Sequence, residues 1–217
     1  MIPKIIHQIW VGPYRIPNRE KKLILDIKKM HPDFEHKYWT DENVPELPPV
    51  LQEVYELFGS RKHYTFQADL LRIFLVHKYG GLYLDADFEC RAGFNDFDLD
   101  NYDVFFGNHY GNVDTFTCGT FGAEKNHPIF KYFLDTMISQ YPVRYWYGPS
   151  FYADVLKSYF NCNEKEITHD EFAKRYFDNN RILHINFDEF HVKYFWHHAL
   201  YSWSPDMEIK FKTGDYE

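Results

Sequence analysis

The chain has 217 residues, enough for one well-filled domain with at most a small appended lobe. Its formal net charge of −8 excludes nucleic acid and an anionic membrane surface as the main partner. Aromatic residues make up 20% of the sequence (18 Tyr, 21 Phe and 5 Trp); they suit both stacking on sugars or nucleobases and core packing, and composition favours the core. Three cysteines, Cys90, Cys118 and Cys162, show no CxxC spacing. They give neither a disulfide framework nor a zinc signature, and they favour a reducing compartment. His7 and Gln8 break the apolar stretch after Lys4, so no signal peptide is expected. The longest uninterrupted apolar run, Ile73 to Val76, is far too short to span a bilayer. The expectation is a soluble, cytoplasmic protein, of a bacterium or of a virus-infected host cell.

In chain order, Ile5 to Val11 reads as a first strand closed by Gly12-Pro13. A helix follows with Leu23, Ile24, Ile27 and Met30 on one face, ending at His31-Pro32. Phe34 to Trp39 reads as a second strand, and Pro45, Pro48 and Pro49 mark an irregular connection. The most regular helix runs from about Phe66 to Tyr79, with Leu70, Leu71, Phe74 and Leu75 facing a core and Gly80-Gly81 as its stop. A short apolar strand, Leu82-Tyr83-Leu84, leads directly into Asp85-Ala86-Asp87. Tyr102 to Gly107 and Phe116 to Phe121 read as further strands. Pro128 opens a helix carrying Ile129, Phe130, Phe133, Leu134 and Met137, and Gly148-Pro149 opens another with Val155, Leu156 and Tyr159. The last forty residues alternate short strands with an aromatic, histidine-rich tail. No repeat or linker interrupts this series, so a single domain is expected over 1–217. The class is α/β, with a central, mostly parallel sheet flanked by helices. Ligands of such a sheet bind beyond the carboxyl ends of its strands, where Asp85 and Asp87 stand.

Two carboxylates one residue apart at a strand end repel each other unless a cation or a shared proton relieves them. Hard oxygen ligands suit Mg²⁺ or Mn²⁺, and Mg²⁺ takes one or two protein carboxylates together with substrate phosphates. The pair therefore points to a metal–diphosphate site. Asp69 and Arg72 lie three apart on the regular helix and share a face, as a local ion pair or as a binding pair. Trp10 ends the first strand beside a Gly-Pro turn, where an aromatic either seals the sheet edge or stacks on a ligand.

Four groups across the chain fit one pattern: Ile2-Pro3-Lys4-Ile5-Ile6-His7-Gln8-Ile9-Trp10-Val11-Gly12, Ala68-Asp69-Leu70-Leu71-Arg72, Gly80 through Asp87, and His197-His198 with Ser202-Trp203. Together they resemble the DxD sugar transferases of glycosyltransferase family 32, which includes fungal mannosyltransferases and bacterial capsule enzymes. More distantly, the chain is similar to the glucosyltransferase domain of large clostridial toxins. The resemblance runs from residue 2 to about 204 and is loose between 88 and 195.

It implies a GT-A fold, with a donor-binding part over about 1–125 and an acceptor side and closing tail over about 126–205. It also implies transfer of a sugar, with retention, from a nucleoside-diphosphate donor, a UDP-sugar in the first instance, to a glycan acceptor hydroxyl. Surface polysaccharide or glycoprotein glycan synthesis is the implied setting. Asp87 would bind Mn²⁺ or Mg²⁺ directly, and Asp85 would touch both donor and metal. Asp69 and Arg72 would hold donor-sugar hydroxyls. Trp10 would stack on the base, with backbone groups of Ile9 and Val11 reading its edge. In the tail, His198, with His197 as rival, stands where the toxins carry a metal-binding acid, and Trp203 and Ser202 would close on the diphosphate. Two other classes use some of these features: a haloacid-dehalogenase-like phosphohydrolase, whose DxD is a nucleophile and general acid, and a non-catalytic glycan-binding module.

Overall fold

The computed structural model describes residues 1–108, 116–140, 149–164, 167, 169–185 and 195–197. A six-stranded sheet forms the centre, in the order β2-β1-β3-β6-β5-β7. Its strands are β1 (Ile5–Ile9), β2 (Glu35–Trp39), β3 (Gly81–Leu84), β5 (Val104–Asn108), β6 (Phe116–Ala123) and β7 (Ile182–Ile185). The β1–β2, β1–β3 and β5–β7 pairings are parallel, whereas β6 runs antiparallel to both β3 and β5. The expected α/β class with a central sheet holds, and the antiparallel β6 makes that sheet mixed. A separate two-stranded ribbon pairs β4 (Phe88–Cys90) with β8 (Phe195–His197).

Alternation along the strands feeds two cores. On β3, Leu82 and Leu84 face a core containing Ile27, Phe34, Phe88, Phe94 and Phe105, under helix α1 (Asn18–Met30). Tyr83 points the other way, into the larger core shared by the remaining helices. Those are α2 (Pro49–Ser60), α3 (Tyr64–Tyr79), α4 (Pro128–Gln140), α5 (Pro149–Tyr159) and α6 (His169–Tyr176). Most of the aromatic excess is accounted for here: Phe106, Phe121, Phe130, Phe133 and Tyr152 are completely buried and stack on one another. Among the described residues no helix is long and apolar enough to cross a membrane.

The connection expected to be irregular around Pro45–Pro49 contains α2. Pro49 at the first helical position loses no hydrogen bond and presets φ, and Leu51, Val54 and Phe58 then recur at helical spacing and are buried. Pro49 therefore starts a helix where an irregular connection was expected. At the other end of α3, Gly80 (φ 71°) turns the chain into β3, where Gly81 has φ 97°. A side chain on Gly81 would place its Cβ 2.6 Å from the Ile5 carbonyl oxygen, so β3 can lie beside β1 only with glycine at that point.

His7, in the middle of β1, is fully buried and stacks between Trp39 and Tyr79. Its Nε2–H donates to the Gly80 carbonyl at 2.8 Å, and its Nδ1 accepts the Trp39 indole N–H at 3.1 Å. A second proton would set two donors against each other, and burial already disfavours the charge, so the imidazole pKa falls to about 4. The unfolded chain takes up this proton near pH 6.5 and the folded one does not until about pH 4. Stability from this residue is therefore complete above pH 6.5 and drains as pH falls toward 4, by about 3 kcal/mol in total. The urea midpoint should drop steeply between pH 7 and pH 4.5. A His7 ring that titrates near pH 6.5 in the folded protein, followed by NMR, would refute this.

Candidate active site

Helix α3 is buried around almost its whole circumference between Gln67 and Val76, because α2, α4 and the sheet all pack on it. This burial carries two charged residues inside: Asp69 is 2% exposed and Arg72 5%. They form an ion pair through Arg72 Nη2 and Asp69 Oδ1. The other terminal nitrogen, Nη1, donates to the Cys118 carbonyl at 2.7 Å and lies 3.5 Å from Asp85 Oδ1. Asp85 Oδ1 also accepts the Tyr83 hydroxyl at 2.6 Å. Burial works against the guanidinium charge, but Cys118, Tyr152, Tyr83 and Asp85 outweigh it, and Arg72 stays protonated. The Tyr83 hydroxyl is held well above its ordinary range by burial first and by the Asp85 charge second, so it remains a donor. Removing one partner of a buried charge pair costs about 3–5 kcal/mol, while replacing both with apolar groups is often neutral. Stability alone is a poor reason for such a network at a strand end.

Asp85 and Asp87 occupy the turn between β3 and β4 and are not equivalent. Asp85 is gripped: its N–H bonds the Gly119 carbonyl at 2.8 Å, and its carboxylate is pinned by Tyr83 and Arg72. Across the sheet edge Gly119 leaves room for it, because a Cβ there would sit 2.7 Å from Asp85 Oδ2. Asp87 lies two residues further along the turn and is half-buried. Phe88, fully buried, fixes the turn behind it, with its N–H on the Asp85 carbonyl at 3.3 Å.

Trp10 follows β1, and β1 runs parallel beside β3, so Trp10 and Asp85 leave the sheet at the same edge. The Trp10 indole N–H donates to the Tyr14 carbonyl at 2.9 Å, and its backbone N–H to Trp39 at 2.8 Å. The polar edge of this half-buried ring is thus turned back to its own loop. The next turn is anchored by the Gly12 N–H on Asp41 at 2.8 Å. Ile9 is buried and still within the sheet, opposite Trp39, and Val11 lies beyond it, half-buried.

The structure thus brings Asp69, Arg72 and Asp85 into one network, and sets Asp87 and Trp10 at the same sheet edge. In the tail, β8 pairs Phe88 with His197, which places the backbone of His197 beside the residue that follows Asp87. His198, Ser202 and Trp203 lie outside the described residues.

Several contributors were not legible in the sequence. Tyr83 reads as a core strand residue, Gly119 has no side chain to notice, and the Cys118 contribution is a carbonyl. Glu20 reads as a helix-start acid in the first turn of α1. It is 5% exposed, its Oε2 has no hydrogen-bond partner, and burial, then Asp87 among its charged neighbours, raises its carboxyl. Only its position opposite β4, against which α1 packs, reveals this.

For a divalent cation the donor set is small. Among the described residues no three His, Cys, Asp or Glu side chains stand together as a ligand group. Two carboxylates fit a hard cation whose other positions are filled by phosphate and water, as Mg²⁺ and Mn²⁺ accept. They do not fit an ion caged by protein alone.

Residues 17–103 match the family model described as a glycosyltransferase sugar-binding region containing a DXD motif. Asp85-Ala86-Asp87 falls inside that match. A glycosyltransferase of Acanthamoeba polyphaga mimivirus, L373, is 33% identical over 141 residues, covering 63% of this chain and 56% of that protein. Inositol phosphoceramide mannosyltransferase 3 of Schizosaccharomyces pombe is 38% identical over 98 residues, covering 42% of this chain and 25% of that protein. The chain thus spans about half, or less, of the length of these curated relatives. Among solved structures, the PaToxG glycosyltransferase superposes with a TM-score of 0.63 at 21% identity, covering 74% of this chain and 70% of that one. The UDP-bound glycosyltransferase domain of the YGT toxin gives 0.52 at 10% identity, covering 81% and 68%. At these identities the likeness concerns the fold alone, which is the GT-A type.

Proposed function

We propose that this chain, which carries the glycosyltransferase sugar-binding region over residues 17–103, moves a sugar from a nucleoside-diphosphate donor to a hydroxyl of a glycan acceptor. The observation that supports this best is the buried Asp69–Arg72–Asp85–Tyr83 network directly beneath the Asp85–Asp87 turn. It is a preorganised set of charges and hydrogen-bonding groups at the carboxyl edge of the sheet, where such folds take up nucleotides.

Each residue then has a task. Trp10 stacks on the base. Asp69 and Arg72 take hydroxyls of the donor sugar, and Arg72 also carries positive charge toward the diphosphate. Asp87, with Asp85 beside it, holds a divalent cation, which when bound supplies charge to stabilise the departing diphosphate. Asp85 is oriented by Tyr83 and Arg72, so it serves both the sugar and the cation side. In this scheme, Asp69 and Asp85 are both committed to Arg72, and neither stands ready as a nucleophile. Retention is what the family resemblance implies; without a carboxylate nucleophile it proceeds by attack of the acceptor on the face that the diphosphate leaves, and the departing phosphate oxygen takes the acceptor proton. The acceptor side is assigned to about residues 126–205, and the resemblance gives His198 or His197, Ser202 and Trp203 roles toward the metal and the diphosphate.

A UDP-linked donor is the first choice, because a structural neighbour of the same fold is a UDP-bound domain. The test is release of nucleoside diphosphate from a panel of UDP- and GDP-sugars with Mn²⁺ or Mg²⁺. Slow, cation-dependent hydrolysis of at least one UDP-sugar, abolished by EDTA, is expected. Turnover that persists in EDTA, or phosphate release from simple phosphoesters in its place, would overturn the reading.

A further inference from the structure

Around β6 lie three buried polar atoms that nothing in the resting structure satisfies, two of them on the side of this network. The Tyr152 hydroxyl, on α5, is completely buried and has no hydrogen-bond partner. The same holds for Thr120 Oγ1, on β6. The third is Arg72 Nε, whose two terminal nitrogens are engaged by Asp69, Cys118 and Asp85 while Nε has no partner.

All three sit around one short stretch of β6. Cys118 and Thr120 flank Gly119, and Thr120 pairs with Leu84, the residue before Asp85. The Tyr152 ring packs on Phe121, the next residue of the strand, at 5.4 Å, and on Phe133 at 4.9 Å. The ring is therefore fixed by packing, and its hydroxyl is delivered to the charged centre instead of to solvent. Arg72 and Asp85 both act on that hydroxyl electrostatically, and Tyr152 acts in turn on the guanidinium.

A buried hydroxyl without a partner is destabilising, and a phenylalanine would fill the same space without that penalty. Arg72 Nε offers only a donor, and a tyrosine oxygen can accept, so the two orphans are complementary. They remain unpaired while both ends of the guanidinium fork are held by the carboxylates and the Cys118 carbonyl.

We propose that Tyr152 is a positioning residue for the donor: when donor-sugar hydroxyls take over the terminal nitrogens of Arg72, the guanidinium turns and its Nε–H bonds the Tyr152 hydroxyl. This rests on the sugar-transfer reading given above. The hydroxyl is then satisfied only in the loaded protein, and part of the donor affinity comes from that exchange. Thr120 pairs with Leu84 and shares its face of the sheet, away from Arg72, so its hydroxyl takes no part in this exchange.

The experiment compares wild type and Tyr152→Phe in melting temperature without donor and in steady-state hydrolysis of the UDP-sugar that the wild type turns over best. Removing an unpartnered hydroxyl should leave the donor-free melting temperature unchanged or higher. The donor KM should rise by about tenfold with kcat little changed, the pattern of a lost interaction made equally in ground and transition states. An unchanged donor KM overturns the proposal. So does a lowered donor-free melting temperature, which would mean that the hydroxyl already has a partner at rest. A wild type that turns over no nucleotide sugar removes the sugar-transfer reading itself, and this inference with it. That outcome appears in the first arm, before the variant is measured.

Discussion

Replacing Asp87 with Asn should lower cation-dependent release of nucleoside diphosphate by on the order of 10²–10³-fold, the loss typical of removing one electrostatic stabiliser from an active site. The fold should be almost untouched. Asp87 is half-buried in a turn. Asparagine keeps the shape and loses the charge that a hard cation requires. The corresponding change at Asp85 is expected to behave differently. It would take a charge away from Arg72 and an acceptor away from the Tyr83 hydroxyl, both buried, so stability should fall along with activity. Melting curves recorded beside Mn²⁺ titrations followed by EPR separate the two: Asp87→Asn should lose cation binding at constant melting temperature. Full activity in Asp87→Asn, or loss of activity with cation binding intact, would show that the second acid is not the metal ligand.

This inequality between the two acids marks the limit of what the sequence could convey. Charge crowding at a strand end made Asp85 and Asp87 legible as a site, since two adjacent carboxylates carry a cost that any fold must relieve. The spacing of Asp69 and Arg72 was equally legible, because position on a helix face follows from three residues of separation. What they touch was not. The partners of Arg72 include the carbonyl of Cys118, and backbone groups leave no trace in residue identity. Tyr83 and Tyr152 look like the rest of an aromatic-rich core, and most of that core is indeed only packing. Their hydroxyls become informative once the strand register says where each ring points. The α2 helix was misread for a related reason: proline breaks a helix from inside and starts one at its first position, and only tertiary packing of Leu51, Val54 and Phe58 decides between the two.

Gly119→Ala tests the geometry with the least chemical change. Gly119 lies within β6, outside the left-handed region, so alanine suits its backbone, and loss of glycine's flexibility would by itself favour folding. The added methyl, however, would stand 2.7 Å from Asp85 Oδ2 and 3.0 Å from the Phe88 ring. Neither neighbour gives way easily. Phe88 is completely buried, and the Asp85 carboxylate is held by the Tyr83 hydroxyl and faced by Arg72. Asp85 must therefore turn or shift, pulling its oxygen out of the network. A misplacement approaching 1 Å at a reacting centre costs about 10²-fold in rate. The expected result is a loss of about that size in kcat/KM for the donor, together with a lower melting temperature, because the same buried network is disturbed. Because Asp87 lies beyond the pinned part of the turn, Mn²⁺ binding should weaken far less than turnover. Activity within about twofold of wild type would show that Asp85 has freedom to move, and that its grip by Tyr83 and Arg72 has no part in positioning the donor.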